Sequence, residues 1–418
     1  MMHNMETHYD VIVIGGGSAG LMAAGRAAER GLSVCILEKN NTLGKKLKIT
    51  GGGRCNITNA TYDVRALLPI YGDAEKFLYA PFAQFGVQET FDFFETRGSP
   101  LVVQARNRAF PHTENAHDVY RIMENYCKKH GVVVRLRSPV QKIIHNTKTH
   151  TIESVMAGGK EFTAQSYIIA TGGASHPETG STGDAFAWLK DLGHTVHMPT
   201  PNIVPLRTKE SWVHRLAGRS LSFMKITFSV DGVKKFSETG KILFTHFGLS
   251  GPLVLNSAKR VADLLHEGLV TARIDCYPDT DYGSLEKNIL ATFDTHKNKD
   301  IKNIIDDIIP HGLGEVIFTF PDMPHPDTKV HSITKEERKA LIALLKGLPC
   351  TITDLMGMDR AVVSDGGIPL TEIDTRTMRS THIKNLYIIG DMLHINRPSG
   401  GYSLQLCWTT GWVAGSAV

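Results

Sequence analysis

Tyr9-Asp10-Val11-Ile12-Val13-Ile14 runs directly into Gly15-Gly16-Gly17-Ser18-Ala19-Gly20 and then into Leu21-Met22-Ala23-Ala24-Gly25-Arg26-Ala27-Ala28. The apolar run reads as a buried strand, the glycines as a turn, and the alanine-rich segment as a helix. Gly15, Gly17 and Gly20 fit G-x-G-x-x-G, in which the first glycine makes the tight turn, the second admits a pyrophosphate to the backbone, and the third packs helix on strand. Ser18 and Ala19 open the helix, whose free N–H groups and positive dipole end suit that anion.

Ser33-Val34-Cys35-Ile36-Leu37 reads as a second strand. It ends in Glu38 and Lys39, close to the expected distance of about 20 residues from the glycines. A carboxylate at Glu38 can hold both hydroxyls of an unphosphorylated ribose, whereas a 2′-phosphate would meet it unfavourably. The nucleotide expected here is the adenosine of FAD or NAD, with Lys39 as a further cofactor contact.

The far end of the chain separates those two. Asn385-Leu386-Tyr387-Ile388-Ile389 reads as another apolar strand, followed by Gly390-Asp391 and then by Gly400-Gly401-Tyr402-Ser403-Leu404-Gln405, which opens a last helix. FAD needs a second contact of this kind, because its ribityl chain and ring extend well past the pyrophosphate. Asp391 suits ribityl hydroxyls, and the helix start at Gly400 to Leu404 suits the electron-rich N1/O2 edge of a flavin. Two other segments agree with tightly bound FAD: the strand containing Val140, which can lay backbone against adenine, and Tyr167-Ile168-Ile169-Ala170 running into Thr171-Gly172-Gly173.

At 418 residues the chain is too long for one ordinary core. Residues 1–195 read as alternating strands and helices, with aromatic-rich amphipathic helices between Tyr62 and Glu124. Prolines at 199, 201 and 205 mark a boundary. Beyond them the pattern turns to alternation, as in Lys225-Ile226-Thr227-Phe228-Ser229-Val230 before the Asp231-Gly232 turn. The expected division is a discontinuous FAD-binding domain (1–195 and 351–418), an inserted β-rich substrate or cap domain (196–283 and 310–350) and a helical insert (284–309). No apolar run is long enough to span a bilayer, and Met1–His8 lacks the apolar stretch of a secretory signal. The six cysteines, at 35, 55, 127, 276, 350 and 407, show neither C-x-x-C nor zinc spacing. No metal site is expected, and reduced thiols in the cytoplasm are. The net charge of +4 is mild, although Lys45, Lys46, Lys48 and Arg54 gather beside the expected cofactor. They read either as a solvated loop with cofactor contacts or as a cationic entry for NAD(P)H or RNA phosphates.

Lys45-Lys46-Leu47-Lys48-Ile49-Thr50-Gly51-Gly52-Gly53-Arg54-Cys55-Asn56-Ile57-Thr58-Asn59 resembles the signature of a bacterial flavoprotein family called aminoacetone-oxidase-like or BaiN/RdsA-type (the YhiN group). Ala109-Phe110-Pro111, Leu243 to Pro252, Gly366 to Asp374 and Gly400 to Gln405 continue the resemblance in order along nearly the whole chain. It implies an α/β architecture in which a Rossmann-like FAD-binding domain is interrupted by a β-barrel-like domain carrying a small helical subdomain. One departure is evident. The family commonly has Gly-Glu followed by an Asp-Val-Asp-Gly type loop, where this chain has Gly390-Asp391-Met392-Leu393-His394-Ile395-Asn396-Arg397-Pro398-Ser399.

With a flavin supplying the reactive centre, the protein needs only to hold the ring, exclude water and provide an acid. No second dinucleotide fingerprint is present, since Gly312-Leu313-Gly314 lacks the third glycine, so NAD(P)H is expected as a transient donor at most. Lys45, Gly52, Gly53, Arg54, Cys55 and Asn56 are expected at the cofactor, with Arg54 and Asn56 as catalytic hydrogen-bond donors and Cys55 either a redox thiol or a small packed residue. His246, in Thr245-His246-Phe247-Gly248, is the candidate general acid if its loop faces the ring, and a turn-bonding histidine otherwise. His394, Asn396, Arg397 and Tyr402 are candidate substrate contacts. The leading function is a reductase passing hydride from NAD(P)H to an activated C=C bond, of a small molecule or of uridine in ribosomal RNA. An oxidase of a small amine and a non-catalytic FAD-holding redox protein are the alternatives, and the oligomeric state is not readable.

Overall fold

A computed structural model of the chain describes residues 7–418, so the leader reading of Met1–His8 lies, for residues 1–6, outside the described residues. The chain forms two compact units. One runs up to Pro201 and resumes at Val362, and the other is Asn202–Ala361.

In the first unit, strand β1 (His8–Ile14), helix α1 (Ser18–Glu29) and strand β2 (Val34–Leu37) follow one another. β1 lies parallel between β2 and the long strand Lys160–Ile169, with Ile12 opposite Cys35 on one side and Tyr167 on the other. Val133–Arg135 extends the parallel sheet beyond β2, and Leu386–Ile388 pairs parallel with the end of Lys160–Ile169. The start of that long strand pairs instead with Thr151–Ala157, which pairs antiparallel with Val140–Asn146. A parallel strand covered on both faces reads as an unbroken apolar run, and Val11–Ile14 are at most 3% exposed.

The last helix, Tyr402–Ala417, packs along α1 through its glycines. A Cβ on Gly411 would lie 2.6 Å from the Ala19 carbonyl oxygen, and one on Gly415 would lie 2.5 Å from that of Ala23. The aromatic-rich region forms helices Glu75–Gln84 and Val87–Glu95. They dock on the last helix by aromatic contact, Phe85 stacking on Trp412 at 4.7 Å and Phe94 meeting Trp408 edge-on at 5.4 Å. A small antiparallel sheet of Thr58–Asn59, Arg108–Pro111 and Leu101–Gln104 also lies in this region. Its strands are too short for alternation to reveal them in the sequence.

The second unit contains a closed barrel of six strands, in the order Leu206–Thr208, Gly248–Ser250, Val233–Thr245, Ser220–Val230, Val270–Asp275 and Leu348–Leu355. Its long hairpin turns at Asp231 and Gly232, both with positive φ (48° and 82°), as a two-residue turn matched to strand twist requires. The expected boundaries need correction. Leu348–Leu355 closes the barrel by pairing with Leu206–Thr208, so the first unit resumes at Val362 and not at 351. Residues 310–347 carry helices and turns where a β-rich segment was expected, and the helical part extends from Tyr282–Thr295 to Lys335–Leu345. Leu285, Ile289, Leu341 and Leu345 from these helices share one apolar core with barrel residues such as Ile226 and Phe244.

His194 of the first unit is held among polar partners, its Nδ1 2.7 Å from Glu372 Oε2 and its Nε2 2.8 Å from Ser380 Oγ. Its ring stacks on His382 at 4.5 Å. Burial pushes its pKa below the ordinary histidine value, against the pull of Glu372. Below about pH 6.5 the unfolded chain therefore takes up a proton that the folded chain refuses, and stability falls with pH by up to about 1.4 kcal/mol per unit. Thermal melts from pH 8 to pH 5 should show this loss, and His194→Gln should flatten the slope.

Candidate functional site

The glycine turn gives each of its glycines a different task. Gly15 has φ +103°, and a Cβ there would lie 2.6 Å from the Ala170 carbonyl oxygen. A side chain at Gly20 would strike the Gly15 carbonyl, so helix and strand touch there. Gly17 is the opposite case, because a Cβ on it would meet nothing within 4 Å. The absence of a side chain at Gly17 thus leaves open space rather than relieving a clash. Gly17 is the extended N-cap of α1, it makes no side-chain cap, and no acidic residue occupies the first turn. The first-turn N–H groups of Ser18, Ala19 and Gly20 accordingly face that space without an internal anion.

Glu38 stands directly at this turn. It is 7% exposed, and its Oε2 accepts from Gly16 N–H at 2.8 Å while Oε1 accepts from Asn40 N–H and Nδ2 at 2.8 Å each. A carboxylate fixed in this way keeps lone pairs for ribose hydroxyls. Ser138 N–H donates to the Glu38 carbonyl and Arg137 N–H to that of Asn40, both at 2.9 Å. This draws the chain leading to Val140 alongside the ribose position, where adenine would lie. Lys39 turns away, its Nζ 2.6 Å from Asp184 Oδ2 and 2.5 Å from Thr182 Oγ1. Replacing Glu38 with Ala should weaken FAD by about tenfold or more while the fold persists, since it also strands the Gly16 N–H. Glu38→Gln should recover part of the loss. A dialysis titration of both variants checks this.

The C-terminal contact is pinned to the same place. Gly390 N–H donates to Thr410 Oγ1 at 3.0 Å, and a Cβ on Gly390 would come within 3.0 Å of Ala19 Cβ, so Asp391 emerges beside the start of α1. Thr171, Gly172 and Gly173 follow the neighbouring strand, with Thr171 Oγ1 3.0 Å from Met392 Sδ. The Gly173 Cβ position lies 3.4 Å from the Asp391 carbonyl oxygen. The Asp391 carboxylate is paired with Arg397, whose side chain is 2% exposed. Arg397 also donates to Ser403 Oγ at 3.0 Å and to the Ile395 carbonyl at 2.6 Å. Arg397, expected as a substrate contact, instead ties Asp391 to the first turn of the last helix. Tyr402 meets Tyr71 edge-on at 6.0 Å, and Leu404 is buried.

The lysine- and glycine-rich signature joins this clasp through Asn56. With its amide oriented to satisfy both polar atoms, Asn56 donates to the Thr58 and Ala109 carbonyls (3.0 and 3.1 Å) and accepts from Gly401 N–H at 2.9 Å. Gly52 and Gly53 turn with positive φ into open space. Cys55 is fully buried, and burial pushes its thiol up to about 12, which fits a packed residue and not a redox thiolate. Arg54, expected at the flavin edge, reaches outward. Its Nε lies 2.6 Å from Glu114 Oε2, it donates to Gln104 at 2.8 Å, and its guanidinium covers the Phe110 ring at 4.4 Å. Lys45 opens the short helix Lys45–Ile49 without an ion pair among the described residues.

Two residues carry more than their sequence context suggested. Lys46 is half-buried, with Nζ 3.2 Å from Ser175 Oγ. Desolvation lowers its pKa, opposed by the negative charge of Asp391. Gln405, 1% exposed, accepts from Thr58 and Thr90 hydroxyls at 2.5 and 3.0 Å and donates to the Gly86 carbonyl and Thr409 Oγ1 at 3.1 and 3.0 Å. It knots the signature strand, an aromatic helix and the last helix. Its place in the Gly400 to Gln405 run was the available signal. His246 belongs to the other unit, at the turn after Val233–Thr245, exposed and edge-on to Phe247 at 4.9 Å.

The family model described as the HI0933-like protein Rossmann domain matches residues 9–417. The 3-dehydro-bile acid delta(4,6)-reductase of Clostridium scindens is 29% identical over 415 residues, covering 97% of this chain and 98% of that protein. The ribosomal RNA dihydrouridine synthase of Escherichia coli is 26% identical over 404 residues, covering 97% and 96%. Among solved structures, the 3-ketosteroid-Δ4-(5α)-dehydrogenase from Rhodococcus jostii RHA1 is similar in fold, with TM-score 0.53 at 15% identity, covering 100% of this chain and 98% of that one. A helix start without an acidic first turn, the buried Glu38 carboxylate beside it and the Asp391–Arg397 pair thus coincide with a match along the whole chain, which belongs to the HI0933-like Rossmann family of FAD-dependent oxidoreductases.

Proposed function

We propose that this protein is a reductase that takes hydride from NAD(P)H and delivers it to an activated C=C bond of a small molecule. Bound FAD supplies the hydride-accepting and hydride-donating centre. Gly17 and the α1 N-terminus hold its pyrophosphate, Glu38 its ribose, and Asp391 with the Gly401–Tyr402 helix start its ribityl and ring end. The observation that carries the direction is the full-length similarity to two proteins whose names both denote saturation of a double bond, a delta(4,6)-reductase and a dihydrouridine synthase.

A small acceptor is favoured over RNA by the state of the loop cations. Arg54 is paired with Glu114, Lys39 with Asp184, and Lys48 lies on the Tyr120 ring at 3.7 Å, so these charges are engaged within the protein. The six cysteines are all free thiols, which supports a cytoplasmic setting. Among the described residues no helix is long and apolar enough to cross a membrane.

Anaerobic mixing of the yellow holoprotein with NADH and then NADPH tests the donor. Bleaching by one of them, reversed by a conjugated enone acid but not by uridine-containing RNA, is the expected result. Failure of both nucleotides to bleach the flavin would overturn the donor assignment, and an amine that bleaches it would make the protein an oxidase.

A further inference from the structure

The barrel unit carries a cleft of about 430 Å³ lined by Arg207, Thr208, His214, His246, Phe247 and Arg360, among others. This volume falls within the range of small-ligand sites, about 300–1,000 Å³. Its lining combines cations with an apolar wall from Phe247 and Met356. Arg207 is exposed and, among the described residues, has neither an ion pair nor a hydrogen bond from its side chain. Its cross-strand neighbour Asp354 accepts from Leu355 N–H at 2.7 Å instead. Among the described residues Arg360 has only a loose pairing with Asp359, at 3.6 Å. His214 is fixed by Nε2, 3.1 Å from the Thr208 carbonyl oxygen, and His246 has no hydrogen bond among the described residues.

An arginine on a surface strand normally finds a carboxylate or open solvent. Here two arginines and two histidines converge on one concavity that, among the described residues, is lined by no carboxylate. Guanidinium groups offer forked N–H donors matched to phosphate and carboxylate oxygens, and the Phe247 and Met356 wall suits the apolar body of the same molecule. We propose that this cleft is a binding site for a small organic oxyanion, a phosphate or carboxylate carried on an aromatic or apolar body. The assignment stands on the barrel unit alone and does not depend on which acceptor the flavin reduces. It gives His246 a binding role in place of the general-acid role its sequence context suggested.

The test uses FAD-loaded protein, so that an adenine nucleotide cannot occupy the Gly17 site, and isothermal titration at low salt with two probes, ADP and cholate. Wild type should bind at least one. Binding of ADP alone identifies a phosphate source, cholate alone a carboxylate source, and both the shared oxyanion chemistry. Arg207→Ala and Arg360→Ala should each weaken that binding about tenfold or more and leave FAD content and the thermal midpoint unchanged, since both side chains are exposed. No binding of either probe to wild type, or binding to both variants as tight as to wild type, overturns the proposal. Neither outcome would alter the flavin bleaching that tests the reductase reading, so the two can fail separately.

Discussion

Gly17→Val protein should purify colourless and folded. The open space at the Gly17 Cβ position means that an added Cβ meets no protein atom within 4 Å, and φ −84° with an extended ψ suits a β-branched residue. Added bulk instead fills the approach of the pyrophosphate to the first turn of α1. Loss of FAD affinity should exceed a hundredfold, while far-ultraviolet circular dichroism matches that of wild-type protein stripped of cofactor. Gly20→Val makes the contrast, because its side chain would collide with the Gly15 carbonyl and should prevent folding. A yellow Gly17→Val protein with unchanged flavin content would mean that the anion sits elsewhere.

The second large effect is expected at Arg397. Its guanidinium is almost completely buried and engages Asp391, Ser403 and the Ile395 carbonyl. Removing one partner of a buried pair leaves the other charge uncompensated, at a cost of about 3–5 kcal/mol. Arg397→Ala should therefore lower the thermal midpoint by several degrees and release FAD, because Asp391 and the start of the last helix lose their common anchor. Arg397→Lys should restore the charge but not the forked geometry, and so only part of the stability. If Arg397→Ala keeps both its midpoint and its flavin, the pair is ornamental and Arg397 is available to substrate.

The parts legible in the sequence are those whose signal is local. The strand to Ile14, the helix from Ser18 and the strand Val34–Leu37 carry unbroken apolar or alanine-rich patterns, and each forms where the pattern places it. Glu38 was readable from its distance to the glycines, and its burial against Gly16 follows from that geometry. Three kinds of information were not local. Lys45 and Lys46 are adjacent in a five-residue helix, too short for periodicity to say which one points inward. Arg397 sits among Asn, Pro, Ser and Gly, a composition of exposed loops, and only its tertiary partners bury it. The barrel strand Leu348–Leu355 follows a long helical stretch, so it reads as the return to the first unit although its pairing partners lie in the barrel.

The assignment of Gly17, Glu38 and Asp391 to one dinucleotide makes a direct chemical demand. Wild-type protein purified without added cofactor, denatured, and its released flavin separated against FAD and FMN standards provides the test. FAD in stoichiometric amount with the chain is the expected result. FMN alone, which has no adenosine for Glu38 to hold, or no flavin even after incubation with FAD, would contradict it.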